Sequence, residues 1–455
     1  MSKRKKINFS KVILPLIIIF FSTILILSLP VLFNFNSIQN TIEKKFYTEF
    51  KINLKILDDI TLKTFPIPHY SVKTANLNLN IKDKNSSKIK VKNLKIFIPI
   101  NKIYSKSNIK INRIEIEKAN FYFKINDILD FRNHLYYKIN EPIRIKKSNF
   151  FYIDENDKTI LISPIHNLNY FINKKSNAKE LKINGNIFDI DYKSNWKRYF
   201  DSPKNTINEI NLKNPNLIIK NSFNIENRHN FNGKSSISFL NEIININYIF
   251  KNNQINIETP DLSKKQKIKI NSKIELDPFF FDMKLDIGKK NINFLTDYLL
   301  NILLNSKEEY LENINGNLSI IVNNLKNPII KSGKINLSIK EKVIKIENSL
   351  FDIEDIGKIK SDFRYYENKG DLIFTSKNIL EIINKKEFSR RFQIRLKKLN
   401  KLNKIYFDLE KNIDNGEISI SNIHLNKIDE ANISDDYYII ENIQLLKVLI
   451  RNVLS

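Results

Sequence analysis

The sequence predicts a mainly β protein: an N-terminal transmembrane helix, then an elongated, curled, mostly antiparallel β-sheet forming a groove, with a few short capping helices. Three observations predict it. Val12 to Phe33 runs for twenty-two residues without a charge. From Leu77 onward, apolar and polar residues alternate in segment after segment. No Gly-, Pro- or Ser-rich linker divides that stretch, so the two-faced strands are expected to share one architecture.

Residues 1–11 form a basic tail carrying Lys3, Arg4, Lys5, Lys6 and Lys11. As a helix the 12–33 run extends about 33 Å, enough to cross a hydrocarbon core of about 30 Å. The flank beyond Phe33, NFNSIQN, is uncharged. The positive-inside rule therefore places the N-terminus in the cytoplasm and the body on the far side of a membrane. A cleaved signal peptide competes with a retained anchor. Its apolar core is usually about 7–15 residues and ends at a small-residue site, which Ser-Leu-Pro-Val-Leu does not offer.

After the anchor, Ser37 to Phe50 reads as a short helix, with Ile38, Ile42, Phe46 and Phe50 at i, i+4 spacing. The period then changes to two. Residues 34–135 form an N-terminal β module with alternation at Leu77-Leu79-Ile81, Leu94-Ile96-Ile98-Ile100 and Phe121-Phe123-Ile125. A middle segment, 136–291, continues it through Ile244-Ile246-Tyr248-Phe250 and Ile268-Ile270 into Ile274-Leu276. Residues 292–311 (Phe294, Leu295, Tyr298, Leu299, Ile302) follow helical spacing as an amphipathic helix. The C-terminal segment, 312–455, resumes with Leu318-Ile320-Val322, Ile335-Leu337-Ile339, Phe392-Ile394-Leu396, Ile405-Phe407-Leu409 and Ile418-Ile420. It ends in a second helix, Tyr438 to Leu454. Both helices are expected to cap the sheet.

Composition narrows the chemistry. The net charge of +26 comes with Lys, Asn and Ile enriched throughout and no basic block of the kind that marks a nucleic-acid arm, so no nucleic-acid partner is expected. Cysteine is absent and the five histidines are scattered, leaving no metal-ligand spacing. The closest of the eight glycines, Gly357 and Gly370, lie thirteen apart, so no phosphate-cradling glycine loop and no GxSxG elbow exists. Acidic clusters such as Asp154-Glu155-Asp157 and Asp435-Asp436 read as solvated turns. The chain is expected not to be an enzyme and to need no cofactor.

Thr41 to Ile125 resembles the N-terminal region of the AsmA family of bacterial envelope proteins. The residues that carry this are DDITLKTFPIPHYSVKTANLNL, with Phe65, Pro66, Pro68 and His69 in the family's proline motif, and VKNLKIFIPINKIYSKSNIKINRIEIEKANFYFK after it. His69 is expected to cap or pack in that turn. The glycines usual before the motif are replaced by Glu49-Phe50 and Asp58-Asp59. The resemblance implies a single-pass inner-membrane protein with its body in the periplasm, acting in lipid transport or outer-membrane biogenesis. Membrane phospholipids are then the expected partners, with outer-membrane proteins as the alternative. Inward residues expected to touch acyl chains are Ile96, Ile98, Phe121, Phe123, Ile246, Tyr248, Ile268, Ile270, Ile335 and Leu337. Ordinary core packing is the competing role for each.

Overall fold

The computed structural model describes residues 21–22, 38–78, 88–103, 109–213, 216–227, 230–239, 242–260, 268–288, 313–323, 330–340, 343–368, 371–412, 415–426, 438–439 and 443–453. The chain divides into two compact units, Met1–Gly233 and Lys234–Ser455. Each is mainly β. The anchor expected at 12–33 lies outside the described residues except for Phe21 and Ser22. Among the described residues no helix is long and apolar enough to cross a membrane.

Unit 1 opens with helix α1, Gln39–Phe50, as its i, i+4 spacing predicts, and Ile42, Phe46 and Phe50 are fully buried. Lys51 in the left-handed region ends it, with its N–H on the Tyr47 carbonyl at 2.8 Å. Strands β1 (Asn53–Ile56) and β2 (Ile60–Lys63) both pair antiparallel with β3 (His69–Asn78). Then β4 (Lys88–Phe97) and β5 (Arg113–Glu117) extend the ladder. Leu79 and Ile81 lie outside the described residues. Strand β4 stops at Phe97, so Ile98 and Ile100 leave the sheet at Pro99, and Ile100 enters a 3-10 turn.

Strand β6 (Asn120–Phe123) is shorter than its alternation suggests. Ile125 begins helix α2, Ile125–Lys138, which the strand pattern had concealed. The Asp127 carboxylate accepts the Lys124 backbone N–H at 3.1 Å, and Ile125, Leu129 and Leu135 turn inward at helical spacing. The helix is a crossover. Strands β5 and β6 both run parallel to β7 (Ile143–Ile153), an arrangement that a hairpin cannot make. An antiparallel ladder follows through β8 (Thr159–Asn173), β9 (Ala178–Ile187), β10 (Ile190–Tyr199), β11 (Asn205–Leu212) and β12 (Leu217–Asn227). Strand β13, Asn230–Phe239, contains the boundary between the units.

Unit 2 continues with β14 (Glu242–Lys251), β15 (Gln254–Glu258), β16 (Ile268–Leu276) and β17 (Phe279–Ile287), all antiparallel. Strand β18 (Asn315–Val322) is parallel to β17. The amphipathic helix expected at 292–311 falls in the connection between them, outside the described residues. Strands β19 (Ile330–Lys340), β20 (Val343–Ile353), β21 (Gly357–Asn368) and β22 (Asp371–Ile382) return to antiparallel pairing.

The strand expected at Phe392-Ile394-Leu396 does not form. Helix α3, Lys385–Phe392, occupies that position, Ile394 sits in a loop, and Leu396 starts a 3-10 turn. Asn384 caps it by accepting the Glu387 N–H at 3.1 Å, and Phe388 is fully buried. The unit closes with β23 (Lys404–Asn412), β24 (Ile418–Leu425), the two-residue β25 (Tyr438–Ile439) and helix α4 (Ile443–Val453). The terminal helix therefore begins later than Tyr438. Helix α4 contributes Ile450 to the cluster around Phe388, so α3 and α4 cover one end of the unit as caps.

Candidate functional site

Register places the apolar residues of unit 2 in rows. One row crosses β16 to β21 as Ser272, Met283, Leu318, Leu337, Ile346 and Phe363, each the direct partner of the next. A second runs Ile268, Ile287, Val322, Gly333, Phe351 and Ile359. A third passes from Ile274 through Phe281, Gly316 and Ile339 to Ile344. Period-two alternation puts all of them on one face. A bulge keeps the rows aligned in β20, where register shifts between Ile346 and Ser349 and Asn348 takes a φ of 54°. The extra residue brings Ser349, Phe351 and Ile353 onto the face that Ile344 and Ile346 occupy. Gly316 serves packing. A Cβ there would come within 2.3 Å of the Phe281 ring, which lies across it.

Among the described residues, strands alone build this face: every member of its apolar cluster is a strand residue. Val322 and Ile287 are sealed, but Ile246, Ile268, Leu318, Leu337 and Ile346 keep 7–9 % exposure, and Ile270, Phe281, Met283, Leu285 and Phe363 are only half-buried. Unit 1 differs. There α1 and α2 pack on the sheet, and Ile42, Phe46, Val72, Leu94 and Ile96 are sealed at 0 %. Polar residues interrupt the unit 2 face sparingly. The Ser361 hydroxyl donates to Asn378 Oδ1 at 2.7 Å, while the buried Ser272 hydroxyl has no hydrogen-bond partner.

The ten residues expected to touch acyl chains separate by unit. Ile96, Ile98, Phe121 and Phe123 lie in the sealed core of unit 1. Ile246, Ile268 and Leu337 belong to the unit 2 face, with Ile270 and Ile335 half-buried against it. Tyr248 is half-buried, and burial pushes its phenol up to about 12. Sequence alternation alone missed Phe351 and Phe363, because the β20 bulge and the charged neighbours of β21 break the pattern there.

The proline motif is a structural turn. Phe65 and Pro66 are exposed, Pro68 is buried, and the Pro68 carbonyl accepts the Ile98 N–H at 3.1 Å. His69 is buried, with Nδ1 at 2.8 Å from the Ile67 carbonyl and its ring 5.1 Å from Phe97. Its ring packs in the turn.

An ion-paired cluster lies on the opposite face of unit 1. Glu115 meets Lys95 and Lys146, each at 3.0 Å. Burial works to raise its carboxyl, but hydrogen bonds from Lys146 and Lys95 outweigh that and hold it below the usual range. Among the described residues no group of three or more His, Asp or Glu could hold a metal ion. Compared with known proteins, the chain matches no family model and no curated protein.

Proposed function

We propose that this chain is an inner-membrane-anchored periplasmic protein of the AsmA type that holds phospholipid acyl chains along the apolar face of unit 2, in lipid transport or outer-membrane biogenesis. The observation that carries the reading is the registered apolar face that the strands β14 to β21 build, with half-buried residues along it. Half-buried Ile, Leu, Met and Phe in continuous rows are costly against water, and acyl chains would remove that cost without directional bonds. The resemblance of Thr41 to Ile125 to AsmA proteins supplies the envelope setting, and no covalent step is involved.

The test is lipid mass spectrometry on the full chain extracted in mild detergent. Phospholipid should co-purify with the wild type. The double variant Ile270→Glu, Ile335→Glu places carboxylates at half-buried positions and should retain about tenfold less or lower still. A folded wild-type protein carrying no phospholipid overturns the reading.

A second reading rests on the edge of β24. Among the described residues strand β25 pairs with it at Ser419 and Ile420, and Leu425 is 40 % exposed. Such an edge could receive a strand of an unfolded outer-membrane protein. Crosslinks from His424 to such precursors in a lipid-free preparation would favour it.

A further inference from the structure

We propose that unit 1 holds a phosphate group, of inorganic phosphate or of a lipid headgroup, where Arg132 of α2 meets Arg198 of β10 and Thr206 of β11. Lys179 and Arg198 are direct partners across β9 and β10, and Arg198 is opposite Thr206 across β10 and β11. Like charges in that relation repel. Arg132 adds a third cation, its pKa lowered by burial and by the charge of Arg198, with its guanidinium 5.3 Å from the Phe231 ring. The Arg198 guanidinium stands 4.3 Å from the Tyr137 ring and 5.3 Å from the Tyr136 ring.

Among the described residues no carboxylate pairs with Arg132, Lys179 or Arg198. The chain does pair charges elsewhere: Glu180, next to Lys179, is within 3.5 Å of Lys182 and 4.0 Å of Lys197. Lys179 already has work, donating to the Tyr136 and Ile139 carbonyls at 2.8 Å and to Asn140 at the end of α2. The others do not. Arg132 Nε and Nη2, Tyr136 Oη, Arg198 Nη1 and Thr206 Oγ1 are buried without a hydrogen-bond partner. Arg198 is 4 % exposed and Thr206 0 %.

Unpartnered buried donors are rare in folded proteins, and here they converge from three elements beside uncompensated positive charge. Two guanidiniums and two hydroxyls need an anion with more acceptors than a carboxylate carries, and a tetrahedral phosphate has them. Tyr137, 60 % exposed, lies over Arg198 and accepts a hydrogen bond from its Nη2. An entering phosphate takes the place of that hydroxyl.

The site stands without the acyl-chain reading; only its assignment to a headgroup rests on it. The test follows thermal unfolding of the full chain in nonionic detergent, with sodium phosphate against sodium chloride at equal ionic strength. A parallel series compares phosphatidylglycerol with diacylglycerol in mixed micelles. The wild type should gain a saturable rise in midpoint with a phosphate-bearing ligand. Arg198→Gln and Thr206→Val should weaken the apparent affinity about tenfold or more, and Tyr137→Phe should bind at least as tightly as the wild type. A rise with phosphatidylglycerol but not phosphate assigns a headgroup; a rise with phosphate alone assigns the free ion. No rise with either, or an equal rise in Arg198→Gln, overturns the site. Phospholipid still bound to unit 2 in that case would leave the acyl-chain reading intact.

Discussion

His134 shows how a single side chain joins two helices of unit 1. It sits on α2, and its Nε2 donates to the Phe50 carbonyl at 2.7 Å, satisfying the last turn of α1. Burial lowers its pKa from the ordinary 6.5, a shift that the Phe50 carbonyl only partly opposes. The unfolded chain therefore binds this proton more readily than the folded one. The contribution to stability is present above about pH 6.5 and is lost as pH falls through the depressed folded value. His134→Gln keeps a donor for Phe50 but cannot titrate. Denaturant unfolding between pH 7.5 and 5 should show the wild type losing stability relative to this variant; parallel pH curves would refute the assignment.

At the scale of elements, local pattern and tertiary packing compete. Helix α1 was legible because Ile38, Ile42, Phe46 and Phe50 have no alternative period. Helix α2 was not, since Phe121-Phe123-Ile125 continues a strand alternation into the first helical residue. The i, i+4 pair Ile125 and Leu129, with Asp127 positioned to cap, was the signal available. Helix α3 hid in the same way behind Phe392-Ile394-Leu396. Its start depends on Asn384, so Asn384→Ala should cost about 1 kcal/mol in urea unfolding, and Asn384→Ser should recover most of it. An unchanged midpoint for the alanine variant would show that packing of Phe388 alone holds the helix. The β20 bulge was illegible for another reason: an inserted residue alters parity only relative to a partner strand that the sequence does not specify.

For the whole molecule, the two units carry the same alternation to different ends. In unit 1 helices cover the inward face and seal it; in unit 2 the described members of the apolar face are all strand residues, several of them half-buried. On the proposed reading, acyl chains would therefore meet Ile246, Ile268, Ile270, Ile335 and Leu337 rather than the sealed Ile96 or Phe121. The anchor reading makes its own prediction. The full chain should stay in the membrane fraction after alkaline carbonate washing, and a chain lacking residues 1–33 should be released yet unfold cooperatively. Release of the full chain by carbonate would dismiss the anchor.

The sequence by itself determined that the body is built of two-faced strands, which side chains share a face within an unbroken strand, and that a helix ending at Phe50 precedes them. Those properties depend on residues a few positions apart, and period two or 3.6 records them directly. Only the tertiary structure decided that helices seal the inward face of unit 1, that β17 and β18 run parallel, and that Arg198 stands opposite Thr206. Such meetings depend on register, bulges and crossovers between distant segments, and no local period encodes the partner.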